Sequence, residues 1–457
     1  MFTEISLEKL ADYILFASCL FLILGSVFIT IKLRCIQLRF LPSLFKMLGG
    51  SITRKSYDKD FTIPPMKALF TAMSTTLGLG TIVGPVIAIH LGGPGALLGF
   101  LLTAFFGSAT TFTEVNLCIR YRKKLASGEI LGGPMQYLKQ ILSPGAAKWY
   151  AVCCCILMAA WSGAQANQIA AILNSPLTGD YRIPAFITGI FIAILIVSTL
   201  VGGIKRVSSF SAKLVPLMFT LYLGAGLWII FSDIDRLRFI LGEMLGSVFT
   251  PYAMISGTAV GGIVSTLRWG IFKGTQATEA GLGTQAIPHS MAETEDPIAQ
   301  GTLSMLSTYS AGLVAFISGC IVLITGTWQD PELPLGITMV AAAFQMHFAS
   351  FGIVIIAICA ILFAVGTILG NSYNGSQCFG YLTKNKRFSL YYAAIAVIIF
   401  AASISDVKLV WSLIDVLLAL TVVPHMTALI IYAHQSGTAL QKDSRDKAVK
   451  TQIALKE

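Results

Sequence analysis

The sequence predicts an all-α polytopic membrane protein with eleven transmembrane helices. Apolar residues make up 55% of the 457 residues and charged residues only 12%, whereas a soluble domain carries roughly 25% charged residues. The mean hydropathy of +0.77 agrees. The apolar runs are continuous rather than alternating, which favours helices. This composition excludes a nucleic-acid-binding domain, a disordered chain and a secreted disulfide scaffold.

The spans follow from the length of the apolar runs, since about 20 apolar residues cross the bilayer core. The N-terminal MFTEISLEKLADY lacks a basic stretch, so we expect no cleaved signal peptide and a true first span. The second, seventh and ninth spans contain clustered glycines or polar residues. The predicted spans lie near 13–33, 66–89, 94–118, 148–172, 184–203, 212–231, 246–272, 302–326, 350–380, 389–405 and 409–433.

The basic residues predict the orientation of these spans. Successive loops between spans lie on alternate sides of the membrane. With the loops assigned in this way, all but five of the 32 lysines and arginines lie on one face, which is therefore expected to be cytoplasmic. In this assignment Arg268 and Lys273 belong to the cytoplasmic loop after the seventh span. The N-terminus is then outside and the C-terminus inside. The exceptions on the outer face are Lys9, Arg182, Arg236, Arg238 and Lys408.

The predicted organisation has five parts. Residues 1–35 form an extracytoplasmic N-terminus and an extra helix, and residues 36–65 form a basic cytoplasmic loop. A first five-helix repeat covers residues 66–231 and a second covers 246–433. The polar tail, residues 434–457, is expected to be a mobile cytoplasmic extension.

Two glycine-rich segments are candidates for function. The first surrounds Gly78 in the second span, and the second begins at Gly257 in the seventh span. Glycines in spans serve either close helix packing or exposed backbone around a cavity. Because the two segments are five spans apart, they favour inverted repeats whose broken helices meet at mid-membrane. The backbone of Leu79–Thr81 and of Gly257–Gly261, with Gln165, would then surround a solute.

Other polar residues in the spans have two interpretations each. The amides of Gln165, Asn167 and Gln168 either line a polar cavity or cross-link helices. Glu114 is a helix-end carboxylate reached by water, or a member of an ion pair or proton relay. Asp415 is structural or part of a gate. The nine cysteines and five histidines show no metal spacing and are expected to pack between helices or at the membrane interface.

These observations favour a secondary transporter over other membrane proteins. A primary pump is disfavoured because no GxxxxGK[ST] motif is present to bind a nucleotide. An enzyme would need clustered acid–base groups or metal ligands. A channel would show pore-lining repeats rather than two broken helices five spans apart. The expected partners are a small solute, a coupling cation and the lipid bilayer, with no nucleic acid and no cofactor.

Five motifs resemble one known family, the alanine or glycine:cation symporters (the sodium:alanine symporter family). The similarity extends from about Ala68 to Pro424, and the order of the motifs is specific. The motifs are HLGGPGALLGF at 90–100, GGPMQYL at 132–138, QANQIA at 165–170, RWGIFKGTQATEAGLGT at 268–284 and DPIAQGTLSML at 296–306.

The resemblance implies a LeuT-like fold, a 5+5 inverted repeat preceded by one extra helix, in a bacterial-type plasma (inner) membrane. It implies import of a small amino acid such as alanine or glycine, coupled to Na⁺ or H⁺. By the same resemblance, a sodium site would use backbone near Thr76, Leu77 and Gly80 with the hydroxyl of Thr367. The residues implied for the substrate site are Thr75, Leu79, Gly80, Thr81, Gln165, Gly257, Thr258, Gly261 and Asn371.

The sequence departs from the family pattern at several of these positions. The GTGN of the first broken helix reads Gly-Leu-Gly-Thr from Gly78, and SNEAG reads ATEAG from Ala277. Thr258 stands for a usual phenylalanine, Asn371 for a tryptophan, and Gly366 for the first threonine of a TT pair. We therefore expect weak or absent sodium dependence. The alternative to alanine or glycine is a larger or more polar amino acid or related solute, with possible proton coupling.

Overall fold

The computed structural model describes residues 7–49, 62–125, 130–174, 182–249, 259–405 and 408–453. They form helices and one antiparallel hairpin, β1 Lys123–Lys124 with β2 Ile130–Leu131. The helices are α1 Leu7–Lys32, α2 Ile36–Arg39, α3 Leu41–Gly49, α4 Pro65–Thr76, α5 Leu79–Gly92, α6 Ala96–Tyr121, α7 Pro134–Ile141, α8 Pro144–Leu173, α9 Ala185–Val201, α10 Gly203–Ser232, α11 Ile234–Phe249, α12 Ala259–Thr278, α13 Ala286–Ser290, α14 Pro297–Thr325, α15 Ile337–Phe348, α16 Ser350–Thr383, α17 Phe388–Ile404 and α18 Lys408–Ile453.

Six helices of the described residues are long and apolar enough to cross a membrane, and the bent pair α4–α5 makes a seventh if it counts as one span. The six are α6, α8, α10, α14, α16 and the Leu413–Gln435 part of α18. Shorter apolar helices occupy Phe16–Lys32, α9, α15 and α17. The predicted class, an all-helical polytopic membrane protein, is confirmed. The count of eleven spans stays a prediction.

Three elements differ from the expected boundaries. α15 lies between the predicted eighth and ninth spans, since its apolar residues form a helix too short to span a bilayer but suited to pack on α16. α18 continues as a helix to Ile453, across the tail expected to be mobile, because this segment contains many strong helix formers. α12 extends past the predicted end of the seventh span at residue 272 and stops at Thr278.

The long helices pack against one another in pairs. α14 lies along α6, α16 lies along α8, and α12 contacts both α5 and α6. The contact of α12 with α6 is made through glycines. A Cβ on Gly270 would lie 1.8 Å from the carbonyl oxygen of Ala96, and a Cβ on Gly99 would lie 2.5 Å from the carbonyl oxygen of Leu267. The two backbones therefore touch directly, as in close helix crossings in membranes.

Candidate functional site

The first interruption of a span lies between α4 and α5, which meet at an angle of 43°. Leu77 and Gly78 have left the helical conformation there, and the Thr81 hydroxyl donates to the carbonyl of Gly78 at 2.5 Å. Only a glycine fits at Gly78, because a Cβ there would lie 2.5 Å from Oγ1 of Thr367. The interruption predicted from the glycines around Gly78 is present.

A second interruption among the described residues follows the end of α12, and the interruption predicted at Gly257 stays a prediction. Gly257 and Thr258 lie outside the described residues. Gly261 is in the first turn of α12. α12 ends at Thr278, the chain turns through Glu279 and Gly283 with positive φ angles, and α13 follows.

Buried side chains clamp the segment between α12 and α13. The amide of Gly281 donates to Oε1 of Glu114 at 2.5 Å, and its carbonyl contacts Nδ1 of His425 at 2.7 Å. The hydroxyl of Tyr150 donates to the carbonyl of Leu282 at 2.7 Å. His425 also contacts the Tyr137 hydroxyl at 2.5 Å through Nε2. Glu114 is therefore buried against this segment. Its burial contradicts the interpretation of Glu114 as a helix-end carboxylate reached by water.

A cavity of ≈ 270 Å³ lies where the two interruptions meet. Eight of the residues proposed from the sequence line it. They are Thr75, Thr76, Leu79, Gly80, Thr81, Gln165, Thr367 and Asn371. Leu77 is fully buried and does not line it. Gln165 and Gln168 both line the cavity. Asn167 instead cross-links helices, donating to the carbonyl of Ala402 at 2.7 Å.

Two cavity residues carry hydrogen-bonding groups without a partner in the described part of the chain. Asn371 is 0% exposed, and neither Nδ2 nor Oδ1 of its side chain has a hydrogen bond. Oε1 of Gln165 is likewise buried and unbonded. Buried polar atoms in folded proteins are almost always paired, because an unpaired one costs about 1–3 kcal/mol. A cavity wall with several such atoms is suited to a polar ligand.

The end of α12 adds three cavity residues that the sequence reading did not propose as site residues, Lys273, Gln276 and Glu279. Nε2 of Gln276 donates to Oδ1 of Asp415 on α18 at 2.9 Å, and Nζ of Lys273 lies 3.5 Å from Oε1 of Gln276. Lys273 was counted as a cytoplasmic loop residue, and its place in the cavity corrects that assignment. The sequence signal for this position was the spacing of three residues between Lys273 and Gln276, which places both on one face of a helix.

The hydroxyl of Thr367 lies where α16 passes the first interruption, and the roles of Thr76, Leu77 and Gly80 at a cation stay predictions. Oγ1 of Thr367 lies 3.1 Å from the carbonyl oxygen of Phe363 and 3.5 Å from that of Thr75. The last carbonyls of α4 lose their helical partners because the helix stops at Thr76. Gly366 adds no hydroxyl. A Cβ there would lie 3.7 Å from the carbonyl oxygen of Ser74.

Comparison with known proteins decides the family. Residues 3–455 match the model of the sodium:alanine symporter family. The chain belongs to this family. It is therefore a transporter and not an enzyme. Its relatives are bacterial and archaeal membrane proteins that differ in their named substrates.

Three of these relatives cover most of the chain. The Sodium/alanine symporter AgcS of Methanococcus maripaludis is 32% identical over 402 residues, 86% of both chains. An uncharacterized transporter of Haemophilus influenzae is 30% identical over 90% of both chains. The Probable sodium/glutamine symporter GlnT of Bacillus subtilis is 27% identical over 88% of this chain and 83% of its own. Membership of the family makes the chain a multi-pass membrane protein of a cation-coupled amino-acid symporter family.

Proposed function

We propose that the chain is a sodium-coupled symporter of an amino acid with a polar, uncharged side chain, of the carboxamide type. The single observation that carries the choice of substrate is Asn371. Its amide is fully buried at the cavity wall with a donor and an acceptor both unused. A carboxamide on the solute offers one acceptor and two donors, and it satisfies both atoms of Asn371 at once.

The first interruption supports recognition of the amino-acid backbone. α5 begins at Leu79, and the positive end of its dipole faces the cavity together with Gly80 and Thr81. A helix N-terminus of this kind stabilises a carboxylate. The carbonyl end of α4 and the free Oε1 of Gln165 are acceptors suited to the ammonium group.

The packing supports the two inverted five-helix repeats of a LeuT-like fold as part of this proposal. α5 packs on α12, and α4 packs on α13, so each half of the first broken span contacts one half of the second. Broken helices that face each other around a central solute site are typical of inverted-repeat transporters.

The predicted orientation, with the N-terminus outside and the basic face cytoplasmic, is kept in this proposal. Arg268 packs 5.1 Å from the ring of Phe16, in the half of α1 nearest its start. In this proposal Arg268 and Lys273 are no longer counted among the basic residues of the cytoplasmic loops, because both belong to α12. The loops that carry most of the basic residues are unaffected.

A second candidate is alanine or glycine, the substrate class expected from the family resemblance. The relative named as a sodium/alanine symporter, 32% identical over 402 residues, favours it. The relative named as a probable sodium/glutamine symporter favours the carboxamide solute. Asn371 distinguishes the two candidate substrates, because an alanine side chain leaves the Asn371 amide without a partner.

The test is competition for uptake into proteoliposomes. We expect glutamine or asparagine to inhibit uptake at concentrations at least about tenfold below those of alanine and glycine, a difference of about 1.4 kcal/mol. In Asn371→Leu, inhibition by the carboxamides should weaken about tenfold or more, since two hydrogen bonds are lost. Inhibition by alanine should stay within about twofold and serves as the internal control. Preference for alanine or glycine in the unaltered protein would refute the carboxamide substrate.

Sodium is proposed as the coupling ion because backbone carbonyls and the Thr367 hydroxyl meet at the first interruption. The missing hydroxyl at Gly366 supports a low sodium affinity. We therefore expect Gly366→Ser to lower the sodium concentration for half-maximal uptake by about two- to tenfold, the effect of one added ligand. The shortest approach of the new Cβ would be to the tip of the Leu214 side chain, at 3.2 Å.

The control is Gly366→Ala, which fills the same space without a hydroxyl. Equal sodium dependence in the serine and alanine variants would contradict a ligand role at this position. Uptake that follows a proton gradient and ignores sodium in all three proteins would favour the proton-coupled alternative.

A further inference from the structure

A second cavity, separate from the proposed substrate site, lies beside the β1–β2 hairpin. Its volume is ≈ 400 Å³. The walls come from the hairpin, the start of α7, α13 with the following Met291, and the last turns of α16. These elements belong to the face that carries most of the basic residues of the sequence.

The lining of this cavity is basic. Lys123, Lys139 and Lys384 contribute to it from three different elements, and among the described lining residues no side chain is acidic. All three lysines are exposed at its rim. Three lysines around one cavity, with no carboxylate among its described lining residues, create a positive potential that attracts an anion.

A buried amide inside the cavity provides the second, independent observation. Gln136 is only 7% exposed, yet its side chain lines the cavity and makes no hydrogen bond with any residue in the described part of the chain. A carboxamide held in this way has donors ready for an incoming oxygen atom. It also lies in the first turn of α7, where the helix dipole favours negative charge.

The walls of the cavity are held in place by specific contacts. Nη1 of Arg122 donates to the carbonyls of Ser290 and Ala292 at 2.8 and 2.7 Å, which fixes the hairpin to the end of α13. Gly132 packs so tightly on Ser290 that a Cβ would lie 2.2 Å from its Oγ. The site is therefore built by tertiary structure rather than by side chains that happen to be near each other.

From this arrangement we propose that the cavity formed by Lys123, Gln136, Lys139 and Lys384 binds a phosphate-bearing anion. The ammonium groups pair with the phosphate oxygens, and the Gln136 amide donates to one of them. An anionic lipid headgroup and a free phosphate share this chemistry. Basic pockets between helices at the cytoplasmic side of membrane proteins are suited to such headgroups.

The position of the cavity connects it to transport. α16 carries Thr367 and Asn371 at the substrate cavity and Gln377 at the basic cavity, and Lys384 follows directly on its end. An anion bound by Lys123, Gln136, Lys139 and Lys384 therefore connects the end of α16 to the hairpin and to α7. α16 is the element that also contributes to the substrate site.

The test is direct binding to the purified full-length protein in a neutral detergent at constant ionic strength. The probes are inorganic phosphate, short-chain phosphatidylglycerol and, as an uncharged-headgroup control, short-chain phosphatidylcholine. We expect saturable binding of phosphatidylglycerol, of phosphate or of both. Binding of phosphatidylglycerol alone assigns the site to a lipid headgroup, and binding of phosphate with similar affinity assigns it to a free anion.

The variants separate a built site from general positive charge. The triple variant Lys123→Gln, Lys139→Gln, Lys384→Gln should weaken binding by about tenfold or more. The matched control Lys124→Gln, Lys148→Gln, Lys386→Gln removes the same charge from exposed lysines that do not line the cavity and should change it less than about twofold. Gln136→Ala, which leaves the charge unchanged, should weaken binding about threefold. Absence of saturable binding, or an equal loss in both triple variants, would overturn the proposal.

Discussion

Replacing Gly270 with alanine is expected to separate α12 from α6 and to leave little folded protein in detergent. The added Cβ would lie 1.8 Å from the carbonyl oxygen of Ala96 and 2.8 Å from the amide nitrogen of Phe100. Both are backbone atoms of a packed helix, so neither can rotate away as a side-chain tip would. Overpacking at such a contact costs about 3 kcal/mol or more.

The measurement is thermal unfolding and the yield of monodisperse protein, compared with Gly224→Ala. Gly224 lies in α10, and a Cβ there would meet no atom within 4 Å. This control should unfold within about 2 °C of the unaltered protein or slightly above it, since alanine favours helix. If the Gly270 variant were as stable as the control, the direct backbone contact between α6 and α12 would be wrong.

Replacing Thr367 with valine is expected to remove most of the sodium dependence of uptake. Valine keeps the volume and branching of threonine but has a methyl group where Oγ1 lies 3.5 Å from the carbonyl oxygen of Thr75. Because the preceding residue, Gly366, has no side chain, the proposed site then keeps only backbone ligands from the end of α4. We expect the sodium concentration for half-maximal uptake to rise at least about tenfold.

Thr367→Ser is the matched control, since it keeps the hydroxyl and loses only the methyl group. Its sodium dependence should stay within about threefold of the unaltered protein. Substrate binding at high sodium should persist in both variants, which separates cation binding from damage to the cavity. An unchanged sodium dependence in Thr367→Val would remove this residue from the cation site.

The sequence predicted the membrane class and the first interruption because both depend on local chemistry. Long apolar runs must become helices in lipid, and the glycines around Gly78 mark a place where two elements approach closely. The cavity lining from α5, Gln165 and Asn371 was also anticipated, although the roles of these residues stay predictions.

The cavity residues at the end of α12 were not proposed from the sequence, for a physical reason. Hydropathy identifies residues that face lipid, whereas Lys273, Gln276 and Glu279 face a polar cavity inside the protein. A span whose end lines such a cavity resembles a loop in a hydropathy profile. The hydrogen bond of Gln276 to Asp415 on α18, 139 positions along the chain, could not be seen from spacing alone.

The two interruptions differ in how firmly they are held. At the second, a Cβ on Gly283 would collide with Pro134, His425 and Tyr150, at distances of 2.6, 2.7 and 2.8 Å. At the first, α4 and α5 are joined by two non-helical residues, Leu77 and Gly78, and a Cβ at Gly80, in the first turn of α5, would meet no atom within 4 Å. The second break is thus enclosed by three elements, whereas the first packs on Thr367 at Gly78 and borders open space at Gly80. During a transport cycle the second break should travel as one body with α7, α8 and α18, while the turning between states is concentrated at Leu77–Gly78, beside the residue proposed to hold the cation.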